Sequence, residues 1–365
     1  MTRLRDHLGQ LIAAEGPLSI AEFMHTAMTA QDLGYYMRGD PFGAGGDFVT
    51  APEVSQIFGE LIGLWSVAVW EALGSPARFS LVELGPGRGT LMSDALRAAR
   101  IRPAFLDAAD FVLVEMSPVL RQRQREALRG VRVRNVRWAD QFDAVPGQPL
   151  IVWANEFFDA LPIRQFVATA QGWRERCIGL ASDNSLTFVL SPAPLPSNFF
   201  PLASESCVEG AVFEFGPARN ALAEQIGRAV AANRGAAQII DYGFTGPAIG
   251  DTFQAMRAHS YVSALEDPGH VDLTSHVDFT ALAAGFAAGG AVVYGPIEQS
   301  AFLERLGARE RMEALLLKST GEQGQAVTAG YTRLTDAKQM GSLFKTLVAA
   351  SPGLLPPGFA SNERR

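Results

Sequence analysis

The chain alternates between two hydrophobic patterns from residue 79 onward. Short apolar runs, typical of buried strands, are followed by segments with the roughly 3.6-residue period of helices. The predicted strands are FSLVEL, DFVLVE, VRVRNV, PLIVWAN and AAQIIDYG, and the predicted helices between them include 89–99, 118–128 and 217–234. Strands that alternate with helices predict an α/β fold with a parallel, doubly wound sheet.

The first 75 residues have mostly helical periodicity. Ser19 precedes IAEFMHTAMT in the position of an N-cap, and a long helix is predicted from Pro52, with Gly74 after its end. We therefore expect an N-terminal helical region over 1–75.

Residues 161–215 interrupt the alternation. Runs on both sides of Gly172 and the run LTFVL are typical of hairpin strands, and a proline-rich link follows. We expect an inserted β element that forms a wall for the substrate. The core would then comprise 76–160 and 216–365, with a helix near 278–287, the strand AVVYG, helices around 300–317 and a last strand, SLFKTLVAA.

Charge and composition narrow the classes of protein. The 365 residues carry a formal net charge of −7, which argues against a general nucleic-acid-binding protein. The uncharged run 279–297 contains glycines and Pro296, so a helix, a turn and a strand explain it better than a membrane span. The two cysteines show no metal-binding spacing and the first residues show no secretory signal, which predicts a reduced, cytoplasmic setting.

The segment ELGPGRG follows the first predicted strand and precedes a helix. Gly85, Gly87 and Gly89 allow a left-handed backbone and the close approach of a ligand, and a helix N-terminus favours an anion. The loop lacks the lysine of a Walker loop, and its GxGxG spacing differs from the GxGxxG of dinucleotide-binding loops. It resembles the loop that binds S-adenosylmethionine (SAM) in class I methyltransferases.

Acidic residues at three strand ends have roles in this interpretation. Glu83 would bind the ammonium group of SAM, and Glu115 would bind the two ribose hydroxyls. Asp140, after the third strand, would reach the adenine amino group. The alternative for all three is an ordinary acid at a strand end or in a surface turn.

A second candidate site is VWANEFFDALP, after the fourth strand. Asn155, Glu156 and Asp159 lie close together in the chain beside Phe157, and carboxylates near aromatic rings suit a guanidinium ion, which is planar. They could position its nitrogen against a methyl group and take up the proton that it loses. Adenine methyltransferases have two prolines here, which this chain lacks. The alternative is that Glu156 caps a helix and that the phenylalanines are core.

Further candidates for acceptor binding follow in the chain. Asp241 and Tyr242 come at the end of the fifth strand and would face the same cleft. DPGHVDLTSHVDF contains His270 and His276, six residues apart on a predicted loop, which is not the spacing of a metal site. We expect no metal and interpret this loop as acceptor-binding; alternatively, Asp272 or Thr274 caps the next helix.

Segments along nearly the whole chain resemble one family. They are GPLSIAEFMHTAM, GYY, GGDFVTAPEVSQIFGE, ELGPGRGTLMSDALR, EMSPVLRQRQ, NEFFDALPIRQF, IIDYG, DPGHVDLTSHVDF and GSLFKTL. On these segments the chain is identified as a member of the MidA-like family, which includes mitochondrial complex I assembly factors that methylate arginine. The resemblance implies a class I SAM-methyltransferase fold with N-terminal helices and an inserted element. It also implies a protein substrate, with an arginine of a core complex I subunit as the acceptor.

The resemblance implies roles for individual residues as well. Gly85, Gly87, Gly89 and Glu115 would bind SAM, the segment 50–53 with Thr50 and Pro52 would close over it, and Glu156 and Asp159 would face the acceptor. Because family-like sequence begins almost at Met1, we expect a bacterial, cytoplasmic version. Two other functions stay open: methylation of RNA or a small molecule, and a non-catalytic assembly factor that keeps a SAM pocket. The oligomeric state stays open too.

Overall fold

The computed structural model describes residues 3–39, 49–131, 135–144, 147–196, 199–200, 207–246 and 249–365. The helices are α1 (Arg3–Glu15), α2 (Ile20–Thr29), α3 (Tyr35–Arg38), α4 (Ala51–Val54), α5 (Gln56–Ala72), α6 (Thr90–Ala98), α7 (Pro103–Ala108), α8 (Pro118–Ala127), α9 (Pro217–Asn233), α10 (Phe279–Ala288), α11 (Gln299–Arg305), α12 (Ala308–Leu316), α13 (Gly321–Thr335) and α14 (Met340–Leu343). The strands are β1 (Leu18–Ser19), β2 (Phe79–Leu84), β3 (Ala109–Val114), β4 (Asn135–Ala139), β5 (Leu150–Asn155), β6 (Arg164–Thr169), β7 (Gly172–Leu180), β8 (Leu186–Leu190), β9 (Val212–Phe215), β10 (Gly235–Phe244), β11 (Gln254–Arg257), β12 (Ser260–Val262), β13 (Asp272–Thr274), β14 (Val277–Asp278), β15 (Val292–Glu298) and β16 (Phe344–Ala350).

The chain forms two compact units. The helix–hairpin unit consists of Met1–Phe48, Asp159–Ala221 and Thr245–Ala281, and the sheet unit consists of Val49–Phe158, Leu222–Phe244 and Leu282–Arg365. The largest differences from the predicted limits are in two places. The helices α4 and α5 belong to the sheet unit, and the segment 245–281 belongs with the hairpin strands.

The strands of the sheet unit lie in the order β15-β16-β10-β5-β2-β3-β4. From β10 to β4 neighbouring strands are parallel, whereas β16 is antiparallel to both β10 and β15. Strands in the middle of a parallel sheet are covered on both faces, and β2 is accordingly buried along its whole length. The predicted doubly wound α/β fold is confirmed.

One face of this sheet packs against α5 and α6. Phe58 and Trp65 of α5 share a buried cluster with Trp153 of β5, whose indole N–H donates to Ser66 Oγ (2.9 Å). Because the carboxyl ends of parallel strands meet at one edge of a sheet, the residues that end β2, β3, β5 and β10 lie toward the same edge.

One local prediction needs correction, one lies partly outside the described residues, and one helix was not predicted. The helix predicted from Pro52 is broken at Ser55, which is extended (φ −159°, ψ 135°) and accepts a hydrogen bond at Oγ from Ile57 N–H, so α4 and α5 are separate helices. Of the strand predicted as VRVRNV, residues 132–134 lie outside the described part, and the described strand β4 begins at Asn135. Sequence periodicity also missed α13.

The helix–hairpin unit has its own core, in which Phe23 of α2 packs with Ile178 of β7. The predicted cap of α2 is confirmed: Ser19 Oγ accepts from Glu22 N–H (3.2 Å), and Glu22 Oε2 accepts from Ser19 N–H (2.8 Å). The predicted hairpin is also found, with β6 and β7 antiparallel on either side of Gly172.

The uncharged run forms a helix, a turn and a strand, as predicted, since α10 ends at Ala288 and β15 begins at Val292. Among the described residues no helix is both long and apolar enough to cross a membrane. The alternative cap was assigned to the wrong residues, since Asp272 and Thr274 lie within strand β13. Asp278 Oδ1 accepts instead from Thr280 N–H (2.8 Å) and Ala281 N–H (3.1 Å).

Candidate functional site

The glycine loop connects β2 to α6. Gly85, Gly87 and Gly89 have φ values of 59°, 52° and 84°, in the left-handed region that favours glycine. A Cβ on Gly85 would lie 2.7 Å from Cδ2 of the Phe157 ring, and one on Gly89 would lie 3.3 Å from Gln124 Cα. The loop therefore depends on glycine both for its backbone conformation and for the approach of its neighbours.

Glu83 is the second-last residue of β2, close to this loop, and is 3% exposed. Its Oε2 is buried and has no hydrogen-bond partner among the described residues. Burial raises the pKa of this carboxyl well above its usual value. A buried carboxylate with an unused oxygen fits the ammonium group of SAM, since a bound cation would supply the missing partner.

Glu115 follows β3, the neighbouring strand, and is also buried. Its Oε1 accepts from Ser117 N–H (2.7 Å) and its Oε2 from Gln124 Nε2 (3.2 Å). Burial raises its pKa, and these hydrogen bonds partly offset that rise. A carboxylate can accept about four hydrogen bonds, so the two oxygens keep the capacity to bind two hydroxyls.

Asp140 lies close to Glu115 in the structure but is a surface residue. Its side chain is 80% exposed and its Oδ1 lies 2.6 Å from Arg121 Nη2. Arg121 Nε also donates to the backbone oxygen of Glu115 (2.7 Å), so one arginine joins the two strand ends. The role of Asp140 at the adenine ring stays a prediction.

Gln124 of α8 is a residue of this site that the sequence analysis missed. It is fully buried, and its Nε2 donates to Gly87 O (2.7 Å) and to Glu115 Oε2. The segment QRQREA of this helix is highly polar, so its composition does not reveal that Gln124 is buried. The one available signal is that Gln124 lies one turn after the buried Leu120, on the same face of the helix.

Glu156 follows β5 with a φ of 48°, which is uncommon for a residue other than glycine. Its Oε1 accepts from Ala51 N–H (2.8 Å) and from Asn155 Nδ2 (3.2 Å). Ala51 is the first residue of α4, so Glu156 does cap a helix, although one from a distant part of the chain. The side chain of Asn155 thus donates to the same Glu156 oxygen as the Ala51 N–H does.

The segment 50–53 lies against the glycine loop. Glu53 Oε1 accepts from Thr90 Oγ1 (2.6 Å) at the start of α6, and its Oε2 lies 3.8 Å from Arg88 Nη1. Together with the bond from Ala51 to Glu156, these contacts join α4 to both candidate loops of the sheet unit.

Asp241 holds the turn that follows Glu156. It is fully buried, and its Oδ2 accepts from Phe157 N–H (3.2 Å) and Phe158 N–H (3.0 Å). This burial argues against the predicted contact with an acceptor and favours a positioning role. Tyr242, the next residue, is half-buried, with its ring 5.5 Å from that of Phe344 in an edge-to-face arrangement.

Asp159 and the two histidines belong to the helix–hairpin unit. Asp159 and His276 are held by Arg219, which donates to Asp159 O (2.7 Å) and His276 O (2.8 Å). Burial and then Arg219 lower the pKa of His276. His270 lies at the surface, where its imidazole contacts Arg38 and its Nδ1 lies 3.2 Å from Asp267 Oδ1.

The same unit contains another group that sequence patterns did not reveal. Tyr36 donates from its hydroxyl to Asp272 Oδ1 (3.3 Å). Burial raises the pKa of Tyr36, and the carboxylates of Asp272 and Asp159 raise it further. Among the described residues no cluster of histidines, cysteines and acids could hold a metal ion.

Comparisons with known proteins show the family to which this chain belongs. A family described as "Putative S-adenosyl-L-methionine-dependent methyltransferase" matches residues 61–297. The chain belongs to this family. It is 38% identical over 380 residues to "Protein arginine methyltransferase NDUFAF7 homolog, mitochondrial" of Drosophila melanogaster, covering 96% of this chain and 85% of that protein. The human NDUFAF7 protein arginine methyltransferase is 36% identical over 368 residues, with coverages of 94% and 82%.

A solved structure extends the likeness to the fold. A COG1565 superfamily member from Burkholderia thailandensis, bound to S-adenosyl-homocysteine, superposes with a TM-score of 0.86 at 28% identity, covering 99% of this chain and 95% of that one. The resemblance found in the sequence is therefore confirmed, with the class I methyltransferase fold and SAM as the cofactor.

The predicted bacterial, cytoplasmic location is wrong. The relatives from Drosophila melanogaster, Danio rerio and Homo sapiens are named as mitochondrial proteins. The prediction relied on the family-like sequence near Met1, and the names of these relatives overturn it.

Proposed function

We propose that this methyltransferase methylates an arginine side chain of a protein. The observation that carries the proposal is the Glu156 carboxylate, which the end of β5 presents in the same unit as the glycine loop. Phe157, the next residue, packs against Gly85, so this turn and the cofactor loop are in direct contact. The names of the curated relatives support the same acceptor chemistry.

We assign cofactor binding to the sheet unit. The Glu83 carboxylate would bind the ammonium, Glu115 the ribose hydroxyls, and the backbone N–H groups at the start of α6 the carboxylate. Thr50 and Pro52 would cover the cofactor, since α4 is bonded to the glycine-loop side of the sheet through Glu53. When bound, SAM supplies an electrophilic methyl group on a sulfonium.

We assign acceptor binding to the turn after β5. Transfer breaks the carbon–sulfur bond and forms a carbon–nitrogen bond, with S-adenosylhomocysteine as the leaving group, and the proton lost by the guanidinium nitrogen would pass to the Glu156 carboxylate. Glu156 would accept hydrogen bonds from the guanidinium and orient its nitrogen, with Asn155 fixing the carboxylate and Phe157 forming a wall. Tyr242 of the sheet unit is a further proposed acceptor contact, whereas the roles of Asp159, His270 and His276, which belong to the helix–hairpin unit, stay predictions.

The finer part of the proposal is the acceptor protein. We propose a core subunit of respiratory complex I, on the basis of the sequence segments shared with the MidA-like family. The mitochondrial names of the relatives are consistent with an acceptor in that compartment.

The test is transfer from methyl-labelled SAM to proteins of a cell extract that lacks this enzyme. We expect label in protein, located on arginine by mass spectrometry, and a complex I subunit among the labelled proteins. Label in RNA or in small molecules would overturn the proposal. Binding of a partner without any transfer would favour the non-catalytic assembly factor.

A further inference from the structure

Gln124 joins three parts of the candidate cofactor site. Its Nε2 donates to Gly87 O (2.7 Å) in the glycine loop and to Glu115 Oε2 (3.2 Å) at the end of β3. Its Oε1 accepts from Trp138 Nε1 (2.7 Å) on β4. One buried amide therefore contacts the loop and the two strands β3 and β4.

The chemistry of these contacts requires an amide. Both protons of the side-chain NH2 face acceptors, and the carbonyl oxygen faces a donor, so the orientation of the amide is determined by its partners. Glutamate at this position would place a second carboxylate against Glu115 and Gly87 O. A hydrocarbon side chain would fill the space but leave three polar groups, of which the Glu115 carboxylate is buried, without this partner.

The surroundings keep this amide in place. Gly89 lies against the Gln124 backbone, where a Cβ would approach Cα to 3.3 Å. Trp138, the donor to Gln124, is itself covered by the guanidinium of Arg125, 4.8 Å from the ring centroid. The amide thus sits between a helix, a loop and a strand end with little freedom to move.

We propose that Gln124 is a positioning residue for the cofactor: it orients the Glu115 carboxylate toward the ribose hydroxyls while holding the glycine loop at a set distance. This inference depends on the proposed roles of Glu115 and the loop. The ligand class that it concerns is a nucleoside with a free 2′,3′-diol. Gln124 acts through Glu115 and the Gly87 carbonyl, and does not itself need to touch the ligand.

The test is a binding cycle with S-adenosylhomocysteine and its 3′-deoxy analogue, measured by calorimetry on the wild type and Gln124→Met. Loss of hydrogen bonds to a charged group predicts a roughly 10- to 100-fold weaker affinity for S-adenosylhomocysteine in the variant. Removal of the 3′-hydroxyl should weaken the affinity of the wild type about 10-fold and that of the variant less than about 3-fold. Gln122→Met is the matched control, because Gln122 lies on the exposed face of the same helix and donates from its side chain to Glu126 Oε1.

A second variant separates positioning from folding. Gln124→Glu keeps the shape of the side chain, so its affinity should be weak near pH 8 and recover as the pH falls and the new carboxyl is protonated. A structural role alone would lower affinity for both ligands by the same factor and leave no such recovery. That result would overturn the inference, whereas a wild type indifferent to the 3′-hydroxyl would overturn the proposed role of Glu115.

Discussion

Glu83 illustrates a conflict between stability and function at a single residue. The sheet buries its carboxyl group, and burial raises its pKa, because the charged form loses its hydration. A group of this kind costs folding free energy in the empty protein at neutral pH. The same burial makes the carboxylate a strong partner for a cation, since the local dielectric is low.

Replacing Glu83 with glutamine should therefore change stability in a pH-dependent way. Because the pKa of the Glu83 carboxyl is raised in the folded protein, this group lowers the stability of the fold as the pH rises above 4.5, its pKa in the unfolded chain. The free energy of unfolding of Glu83→Gln without cofactor should gain on that of the wild type as the pH is raised from about 5 to about 8, by up to about 1.4 kcal/mol per pH unit. A difference that stays constant over this range would contradict the buried-charge explanation.

Glu156 allows the charge to be tested separately from the helix cap. In Glu156→Gln an amide oxygen can still accept from Ala51 N–H, so α4 should stay in place and S-adenosylhomocysteine should bind within about 3-fold of the wild type. Methyl transfer should fall by at least about 100-fold, because the guanidinium loses a carboxylate partner. Glu156→Ala, which removes the cap as well, should also weaken cofactor binding. Normal turnover by the glutamine variant would exclude Glu156 as the guanidinium ligand.

At the scale of an element, the glycine loop depends on packing as well as on backbone conformation. Gly85→Ala places the Cβ of a left-handed alanine 2.7 Å from the Phe157 ring. It should therefore lower the free energy of unfolding by more than the roughly 1–2 kcal/mol that the backbone conformation alone costs, and it should weaken cofactor binding. Gly130→Ala is the matched control: its φ is 83°, and an added Cβ has no neighbour within 4 Å. Thermal melts and calorimetry with S-adenosylhomocysteine would compare them, and equal losses would show that the Phe157 contact does not matter.

The elements that could be predicted from sequence are those whose local pattern matches their burial. β2, β5 and β10 are almost continuously apolar because both of their faces are covered. The break at Ser55 could not be predicted, since the helical period continues through it and only the side-chain bond to Ile57 marks it. Helix α13 has few apolar residues and three glycines, and Gly330 packs closely against Ser55, a contact that has no local signal.

Only those parts of the candidate site that have a local sequence pattern could be predicted. The glycine loop and the acids at strand ends have a recognisable spacing along the chain. Gln124 and Asp241 could not be assigned their roles, because each acts through backbone groups that are distant in sequence. The bond from Glu156 to Ala51 is equally invisible before the chain is folded.

At the scale of the whole molecule, pairings between distant segments determine which parts form a unit. Leu18 pairs with Ile178 and Ser19 with Cys177, so the N-terminal helices join the hairpin strands. The pairing of β11 with β13 extends the same unit to 245–281. Local hydrophobic patterns contain no record of such partners, which is why the predicted boundaries differ from those of the structure.

Arg219 links several segments of the helix–hairpin unit, so its substitution tests what stabilises that unit. Its guanidinium donates to Asp159 O (2.7 Å), Leu161 O (3.1 Å) and His276 O (2.8 Å), and thereby ties segments that lie far apart in the chain. Arg219→Met should lower the free energy of unfolding by about 3 kcal/mol, because these carbonyls lose a charged donor.

Hydrogen exchange should locate that loss within the unit. In Arg219→Met the amide of Ser275, which donates to Asp159 O, should exchange faster. Arg228→Met on the same helix is the control, because its side chain is 68% exposed and its pair with Glu224 is worth less than about 1 kcal/mol. If both variants melted alike and Ser275 stayed protected, the carbonyl cluster would not stabilise the unit.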